Sequence, residues 1–501
     1  MSLLKPVTYL YHESGLQTLL HADGNTWLII LTRMLRMFAY GFNALILALF
    51  FESLKFSDYS IGLFYTLTLL GDVALSLFLT LVADALGRRK ILFFGAALMV
   101  LSGMAFALSS NYFVLLFSAV IGVISPSGSE IGPFRAVEES MISHLTTPDT
   151  RTEVMSWYVV MPAVGTSLGL FACGNLVSTL TERMGWEVKS AYHACFWIYT
   201  LCGLVNMGLA MFMTQKCEIE DKKPDVAEGA RPEKKKSKFS QISRESRPTL
   251  YKLCALMSVD SLSSGMAAYS LINLYVDRKF SLPKSYLGDT MSGVWAVSAF
   301  MNIWSPAIAR RIGLIKAMVF THLPSAIFLA LLPAPRSWWL TAVLLFARAA
   351  LNSMDQAPRT AFIAAVVKPE ERTAVMGIVN VLKILAQSGG PSITGSLAGA
   401  NLFWLAFTLA GSLKASYDLG LLSMFVNTRL HEHERGSASK GQYERVGQEE
   451  DRDAENAFAL GENDVDGESY DGDEDGEADG EASKKGDLPK RSDSFPLKAI
   501  S

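Results

Sequence analysis

The chain has little that would support catalysis, metal binding or covalent cross-linking. Its five cysteines have no Cys-x-x-Cys spacing and no accompanying histidine cluster, so a disulfide framework and a zinc site are not expected. The sequence offers no nucleophile beside a base and no phosphate-binding loop. We therefore expect no cofactor, no metal and no enzymatic activity. The first 25 residues also lack the pattern of a cleaved secretory signal, so the first hydrophobic run is predicted to remain as an anchor.

Charged residues are also scarce. They make up 19% of the 501 residues, whereas hydrophobic residues make up 50% and the mean hydropathy is +0.26. The apolar residues are collected into long runs, and a bilayer core of ~30 Å is crossed by ~20 helical residues. The sequence therefore predicts an all-α, polytopic membrane protein with twelve transmembrane helices. We place these helices at residues 27–51, 60–82, 89–109, 112–143, 152–180, 190–214, 249–276, 286–308, 314–333, 338–366, 374–399 and 402–427.

Basic residues are unevenly distributed among the connections between these helices. The even-numbered connections hold 19 Lys or Arg, and the odd-numbered connections hold seven. Because basic loops are retained in the cytoplasm, the even connections and both termini are predicted to face it, in the plasma membrane or an internal membrane. The predicted domains are a cytoplasmic N-terminal segment (1–26), a six-helix bundle (27–214), a cytoplasmic linker (215–248), a second six-helix bundle (249–428) and a tail (429–501).

The tail differs from the rest of the chain in charge. Residues 444–481 hold 17 Asp or Glu and two Lys or Arg, although the net charge of the whole chain is only -3. An acidic, Gly-rich segment of this kind is typical of disordered, solvated chain. It is either a simple appendage or a binding site for a cytoplasmic partner. Neither the tail nor the remainder has the pattern of a nucleic-acid binder.

The two halves of the chain carry matching residues at a nearly constant offset. The segment 130–133 (EIGP) matches 355–358 (DQAP) at an offset of 225, and Pro148-x-x-Arg151-Thr matches Pro369-x-x-Arg372-Thr at 221. The change of four is about one helical turn. Such a duplication predicts two pseudo-symmetric bundles with a solute site between them. Further matches are Gly41 with Gly265, Gly62 with Gly288, and Gly87 with Gly313.

The connection between the second and third helices carries a recognisable motif. Residues 80–90 read TLVADALGRRK. On this motif and the repeat, residues 27–428 resemble the major facilitator superfamily, whose signature is Gly, three residues, Asp, a basic residue, any residue, Gly and two basic residues. Asp84, Gly87, Arg88 and Arg89 match this signature, whereas the first Gly and first basic residue do not. Segments 128–139 and 353–373 resemble a fungal and bacterial branch, and the resemblance implies a transporter fold without implying a solute.

The residue types in the motif at 80–90 are compatible with a gate between the two halves. Gly87 permits a tight turn, Asp84 can pair near a helix end, and the two arginines lie at the headgroup level. We interpret the motif as a gating loop, in which an Asp–Arg contact across the two halves holds the outward-open state. The alternative is that Arg88 and Arg89 only fix the topology.

Several predicted spans contain ionisable residues, which are costly in a bilayer unless they face a cavity or a partner. Arg36 in the first span and Asp260 in the seventh are equivalent in the repeat, at an offset of 224. They are predicted either to pair with each other or to form two poles of a substrate site. The alternative is that Arg33 and Arg36 extend to the membrane interface.

Glu130 and Asp355 are the strongest candidates, because each is followed three residues later by a proline, Pro133 and Pro358. A helix break of this kind can open backbone groups to a cavity. We expect one of the two acids to bind and release a proton during transport, unless both form permanent structural ion pairs.

Arginines lie close to both acids in sequence and can stabilise a carboxylate or compete with a proton for it. Arg348 precedes Asp355 by seven residues, and Arg135 follows Glu130 by five. In the last span, Lys414 and Asp418 are predicted to pair with each other. The histidines, including His322, are expected to be ordinary hydrogen-bonded side chains. The candidates for substrate or proton binding are Arg36, Glu130, Arg135, Asp260, Arg348, Asp355 and Arg359.

Together these features predict a secondary active transporter of a small polar or charged solute, driven by protons and working by alternating access. Two alternatives stay open: an uncoupled facilitator or exchanger of the same fold, and a transporter-like membrane receptor that signals through its acidic tail. The expected partners are the lipid bilayer, the solute, protons and a cytoplasmic protein that binds the tail.

Overall fold

A computed structural model describes residues 16–122, 133–218, 243, 246–368 and 371–425, with only the backbone of 76–86, 133, 136, 148, 149, 152, 306, 357, 364 and 372–374. Within these residues the regular structure is helical throughout. The helices are α1 (Leu16–Leu20), α2 (Gly24–Ser53), α3 (Asp58–Leu86), α4 (Arg88–Leu108), α5 (Tyr112–Ile121), α6 (Pro133–Leu145), α7 (Pro148–Ser178), α8 (Val188–Phe212), α9 (Arg247–Met266), α10 (Tyr269–Phe280), α11 (Lys284–Asn302), α12 (Ser305–Ile312), α13 (Leu314–Leu331), α14 (Trp338–Asn352), α15 (Gln356–Val366), α16 (Arg372–Gly399) and α17 (Phe403–Phe425).

Helix is present at each of the twelve predicted spans, and the all-α prediction is confirmed. Five helical segments among the described residues are long and apolar enough to cross a bilayer by length and composition: Gly24–Ser53, Arg88–Leu108, Glu153–Arg183, Val188–Phe212 and Leu314–Leu331. The last turn of the fifth span, Thr179–Arg183, is a π-helical turn.

Three spans that were predicted as continuous helices are interrupted. The seventh breaks between α9 and α10, the eighth between α11 and α12, and the tenth between α14 and α15. The last two breaks have a clear cause, since a proline stands in the first turn of both α12 and α15. Proline fits the first turn of a helix, where the backbone N–H groups have no partner within the helix. It cannot extend the preceding helix, because it has no N–H to donate to the carbonyl four residues earlier. In the fourth span, residues 123–132 lie outside the described residues, and with them Glu130.

The connections define two sides of the helical bundle. We call the side that carries residues 213–218 and 246 the linker side, and the other the opposite side. Two tight turns on the linker side join α3 to α4 and α12 to α13. Their glycines, Gly87 and Gly313, have φ angles of 89° and 87°. Only glycine adopts such angles without strain, so the predicted tight turn at Gly87 is confirmed together with its counterpart in the repeat.

Glycines bring the two halves into close contact near the opposite side. Helix α7 crosses α11 where Gly174 meets Gly288, and helix α3 crosses α16 where Gly62 meets Gly395. A Cβ atom on Gly174 would lie 2.5 Å from the Lys284 carbonyl oxygen. The two crossings are related by the sequence repeat, because Gly62 and Gly288 are matching positions. Small residues of this kind allow helix backbones to approach each other in membranes.

Polar contacts between the halves lie in the same region. In the described part of the chain they are Thr66 with Ser392 at 2.8 Å, Ser167 with Ser292 at 2.9 Å, Asn273 Nδ2 with the Ala44 carbonyl at 3.0 Å, Asn175 with Asp289 at 2.9 Å, the Ser285 amide with Ser178 Oγ at 2.9 Å, and Arg278 with Glu52 at 2.7 Å and Asp58 at 2.6 Å. All of them lie nearer the opposite side than the linker side.

The hydrophobic core divides in a corresponding way. One large cluster contains residues from both halves, including Phe50, Phe106 and Phe196 from the first and Tyr275 and Phe407 from the second. Two further clusters, near the linker side, each contain residues of one half only. The halves therefore share a core towards the opposite side and have separate cores towards the linker side.

Candidate functional site

The most buried group of charges lies inside the second half. Asp260, on α9, is 3% exposed and accepts hydrogen bonds from two cations of neighbouring helices. Lys414 Nζ, from α17, lies 2.9 Å from Asp260 Oδ1, and Arg359 Nη1, from α15, lies 2.7 Å from Oδ2. Lys414 also donates to Ser264 Oγ at 2.8 Å. A carboxylate between two cations is the arrangement that makes a charge tolerable in this setting.

His322, on α13, joins a second carboxylate to the same group. Its Nδ1 lies 2.9 Å from Asp418 Oδ2, and its Nε2 lies 3.8 Å from Asp260 Oδ1. The His322 and Asp418 side chains are 1% and 0% exposed. The edge of the His322 ring packs on Tyr417, with the centroids 5.8 Å apart. A single imidazole thus lies between two buried carboxylates.

Asp355 completes this group. It precedes α15, and its carboxylate contacts the guanidinium of Arg359, four residues on. We call the set of Asp260, His322, Asp355, Arg359, Lys414 and Asp418 the second-half network. It contains three carboxylates, two cations and one histidine. No group of three or more His, Cys, Asp or Glu in the described chain is arranged to hold a metal ion.

The first half has a smaller charge group. Arg36 Nη2 lies 2.8 Å from Glu138 Oε1 and 2.9 Å from Oε2, and Glu138 is fully buried. The Tyr158 hydroxyl donates to Glu138 Oε2 at 2.9 Å. The Arg33 guanidinium lies 3.9 Å from the centroid of the Tyr158 ring, so this arginine points into the bundle and not towards the membrane surface.

The structure corrects two of the predicted pairs. Arg36 and Asp260 bind partners within their own halves, Glu138 and Arg359, rather than each other. Lys414 and Asp418 lie one turn apart on α17, yet each reaches a different neighbouring helix, where Asp260 and His322 offer better geometry. In the first case the prediction took equivalence in the repeat for contact, and in the second it considered only a single helix.

Arg348 does not contact Asp355, and Arg135 contacts Glu139, an acid that the sequence did not suggest. Arg348, on α14, is 5% exposed and lies with its guanidinium 5.9 Å from the Tyr269 ring centroid, whereas Asp355 is bound by Arg359. Arg135 Nε donates to Glu139 Oε1 at 2.7 Å on an exposed face of α6. Pro133 begins α6, and Glu130 falls outside the described residues.

The predicted gating loop has a contact that the sequence did not suggest. The backbone N–H groups of Arg88 and Arg89 donate to the Glu218 carboxylate, at 2.7 and 3.0 Å. Glycine at position 87 offers no side chain to cap α4, so a carboxylate from the start of the predicted linker binds these helix N-terminal amides instead. Glu218 belongs to the same half as the loop. The side chain of Asp84 lies outside the described residues.

The other end of the predicted linker is bound in a similar way. The Ser243 amide donates to Glu371 Oε1 at 3.0 Å, just before α16. Burial would raise the pKa of Glu371, but hydrogen bonds from Ser243 and Ser246 and the charge of Lys368 outweigh it and lower the pKa below its usual value.

Similarity to known proteins identifies the family. Residues 29–323 and 253–448 match the family model described as Major Facilitator Superfamily. The chain is also 33% identical, over 415 residues, to the "Uncharacterized membrane protein YJR124C" of Saccharomyces cerevisiae; the match covers 78% of this chain and 92% of the yeast protein.

Solved transporters share the fold at low sequence identity. The nucleoside transporter NupG matches with a TM-score of 0.60 at 12% identity, covering 80% of this chain and 99% of NupG. A D-xylose-proton symporter matches with a TM-score of 0.60 at 14% identity, covering 79% and 97%. A bacterial homologue of the human lysosomal transporter Spinster, in an inward-facing and unoccupied conformation, matches with a TM-score of 0.59 at 14% identity, covering 80% and 94%. The chain therefore belongs to the Major Facilitator Superfamily, and it is a multi-pass integral membrane protein that transports a small solute.

Proposed function

We propose that this protein is a proton-coupled secondary transporter that works by alternating access and binds a polar or charged solute between its halves. The observation that carries the proposal is His322, a buried imidazole placed between Asp418 and Asp260. A histidine is the side chain whose ordinary pKa allows it to gain and lose a proton near neutral pH. In this proposal the linker side faces the cytoplasm.

Alternating access is supported by the unequal packing of the two sides. The halves meet closely at the glycine crossings and through Arg278 near the opposite side, whereas the linker-side cores are separate. We assign this arrangement to the inward-open state. Switching to the outward-open state would break the contacts of Arg278 and form new ones on the linker side, where Arg88 and Arg89 lie.

Proton coupling is supported by the position of His322 in the second-half network. Its two ring nitrogens lie against the carboxylates of Asp418 and Asp260, so a proton bound to the imidazole would change the charge that both carboxylates face. The charged and titratable groups around His322 come from every neighbouring helix: Asp260 on α9, Asp355 and Arg359 on α15, Lys383 on α16, and Lys414, Tyr417 and Asp418 on α17. When His322 gains a proton, it becomes a third positive charge near Asp260. The attraction of Asp260 for Arg359 or Lys414 is then weaker, so that α15 or α17 can move.

The test compares metabolites inside and outside cells that express the wild type, His322→Gln or His193→Gln at matched protein level, with and without a protonophore. His193 is the control, because its ring bonds to the Phe106 carbonyl at 2.9 Å, away from the network. We expect a compound whose distribution shifts with wild type and His193→Gln, with the shift lost on adding protonophore. In His322→Gln any remaining shift should not respond to protonophore.

Two outcomes would contradict the proposal. A wild-type shift that is insensitive to protonophore would indicate an uncoupled facilitator or exchanger. A phenotype that is lost on deletion of residues 431–501, with no solute shift in any strain, would favour a receptor. Asp355→Asn serves as a second network variant, and it should behave as His322→Gln does if the whole network carries the proton.

A further inference from the structure

Arg348 is a buried cation outside the second-half network. It lies ten residues into α14, near the middle of the bundle, and is 5% exposed. Its Nε has no hydrogen-bond partner among the described residues, and none of the ion pairs found there includes it. Because a guanidinium stays charged at any physiological pH, it cannot relieve this situation by losing its proton. Such a site favours the arrival of an anion.

Aromatic rings from both halves surround this position. Trp295, on α11, lies 5.2 Å from the Tyr269 ring and 6.4 Å from the Tyr40 ring, measured between centroids. The Arg348 guanidinium lies over the Tyr269 ring itself, 5.9 Å from its centroid. All three residues are only half-buried, so each has some surface left for contact with another molecule. Tyr40 belongs to the first half, and the other residues belong to the second.

Polar groups without partners lie beside the rings. The Tyr40 hydroxyl, both amide atoms of Asn43 and Oδ1 of Asn273 are buried, and each has no hydrogen-bond partner within the described part of the chain. Asn43 is three residues after Tyr40, and Asn273 is four after Tyr269, so each lies near its aromatic neighbour on one helix face. Buried polar atoms are normally satisfied, and a cluster of exceptions at an interface indicates a place for a polar ligand or water.

We propose that the transported solute is a planar organic anion, with its ring against Tyr269 and Trp295 and its acidic group on the Arg348 guanidinium. A carboxylate matches the two parallel N–H donors of a guanidinium, and a flat ring can stack on partly exposed aromatic residues. The solute would contact Tyr40 across the interface, so its binding would depend on the relative position of the halves. This inference rests on the proposed transport function and specifies its substrate class.

Binding to the purified full-length protein in detergent tests the inference without any pH gradient. Thermal stabilisation and calorimetry are measured with benzoate, indole-3-acetate and phenyl phosphate, and with benzamide, benzylamine and cyclohexanecarboxylate as neutral, cationic and non-planar probes. We expect at least one planar anion to bind about tenfold more tightly than benzamide. Phenyl phosphate binding more tightly than the carboxylates would identify the acidic group as a phosphate.

Three variants separate the contribution of the probe's charge to binding from the contribution of its ring. Arg348→Gln should remove the preference for anions, and Arg348→Lys should keep part of it. Trp295→Leu should weaken the binding of charged and neutral planar probes alike. Arg336→Gln is the matched control, because Arg336 is exposed in the connection before α14. The melting temperature of each unliganded variant reports whether it has folded, and Arg348→Lys keeps the test valid if Arg348→Gln has not.

The inference is overturned if benzamide binds as tightly as benzoate, if Arg348→Gln keeps the preference for anions, or if no planar anion stabilises the wild type at about 10 mM. These outcomes are distinct from failure of the proposed function. Proton-coupled transport with no affinity for planar anions would sink only the substrate class, whereas binding of planar anions without a metabolite shift in cells would sink only the transport mechanism.

Discussion

The two halves of this transporter contain the same ion pair with its charges exchanged. In the first half the cation, Arg36, lies on the first span and the carboxylate, Glu138, on the fourth. In the second half the carboxylate, Asp260, lies on the seventh span and the cation, Arg359, on the tenth. Positions 36 and 260 differ by 224 and positions 138 and 359 by 221, which are offsets of the repeat. Duplication thus preserved the positions of the two charged residues, whereas the signs of their charges are exchanged.

The surroundings of the two pairs also differ. The first-half carboxylate also accepts a hydrogen bond from a neutral hydroxyl, that of Tyr158. The second-half carboxylate is completed by a further cation, Lys414, which links the pair to His322 and Asp418 on two more helices. The second-half pair is connected to a histidine, the side chain that can exchange a proton near neutral pH. Under the proposed function the second half therefore carries the proton chemistry, and the pair of Arg36 and Glu138 serves structural support.

The largest expected difference between the two halves is the loss of stability when the buried carboxylate is removed. Asp260→Asn leaves Arg359 and Lys414 without their shared carboxylate, and Lys414 is only 5% exposed. Stranding a buried charge of this kind costs about 3–5 kcal/mol. Glu138→Gln should cost less, because Arg36 is 18% exposed and can reach water. Thermal unfolding in detergent checks the order, with Glu187→Gln, at an exposed carboxylate, as the control; equal losses for both buried acids would refute it.

The next effect concerns the contact between the halves. Gly174→Leu places a side chain against the Lys284 carbonyl and the backbone of Gly288, which a helix crossing cannot accommodate. Overpacking of this kind costs about 1–3 kcal/mol, which is enough to shift a two-state equilibrium towards the state that is open on the opposite side. Spin labels at Y59C and Y286C, exposed positions in the two halves, should report a longer distance by several ångströms.

Gly208→Leu is the matched control for that experiment, because a Cβ atom on Gly208 would meet nothing within 4 Å. It should leave the distance between the labels unchanged. An unchanged distance in Gly174→Leu as well would mean that the helix crossing does not control closure of the opposite side.

Loss of the Tyr158 hydroxyl should distinguish the structural role of the first half from the proton-binding role proposed for the second. Tyr158→Phe removes the hydrogen bond to the buried Glu138 carboxylate, and one lost bond to a charged group costs about 1.5–3 kcal/mol. Because this half is assigned a structural role, the variant should lower the melting temperature and leave the protonophore response of transport intact. His322→Gln should abolish that response, and its melting temperature should fall as well because the buried Asp418 loses its imidazole partner. A Tyr158→Phe protein that loses the protonophore response would place proton chemistry in the first half too.

The sequence could predict the scaffold of this site but not its contacts. The repeat located Arg36, Asp260, Asp355 and the turn at Gly87, because spacing along the chain survives duplication. It did not reveal that His322 binds Asp418, since these residues are 96 positions apart and meet only through packing of α13 on α17. Glu138 was also missed, although the offset of 221 that relates Pro148 to Pro369 would have aligned it with Arg359.

The smallest expected effect is at the rim of the opposite side, where both halves contribute to one ionic contact. Arg278, from the second half, binds Glu52 and Asp58 of the first. These side chains are partly exposed, so their contact is worth about 1 kcal/mol or less. Arg278→Gln should therefore raise the open fraction of the opposite side only severalfold, and less at high salt, because exposed charges are screened. Lys279→Gln is the control, since Lys279 donates to the Pro333 carbonyl within its own half. The distance between labels at Y59C and Y286C again provides the measurement, and an effect as large as that of Gly174→Leu would show that charge rather than backbone packing closes this side.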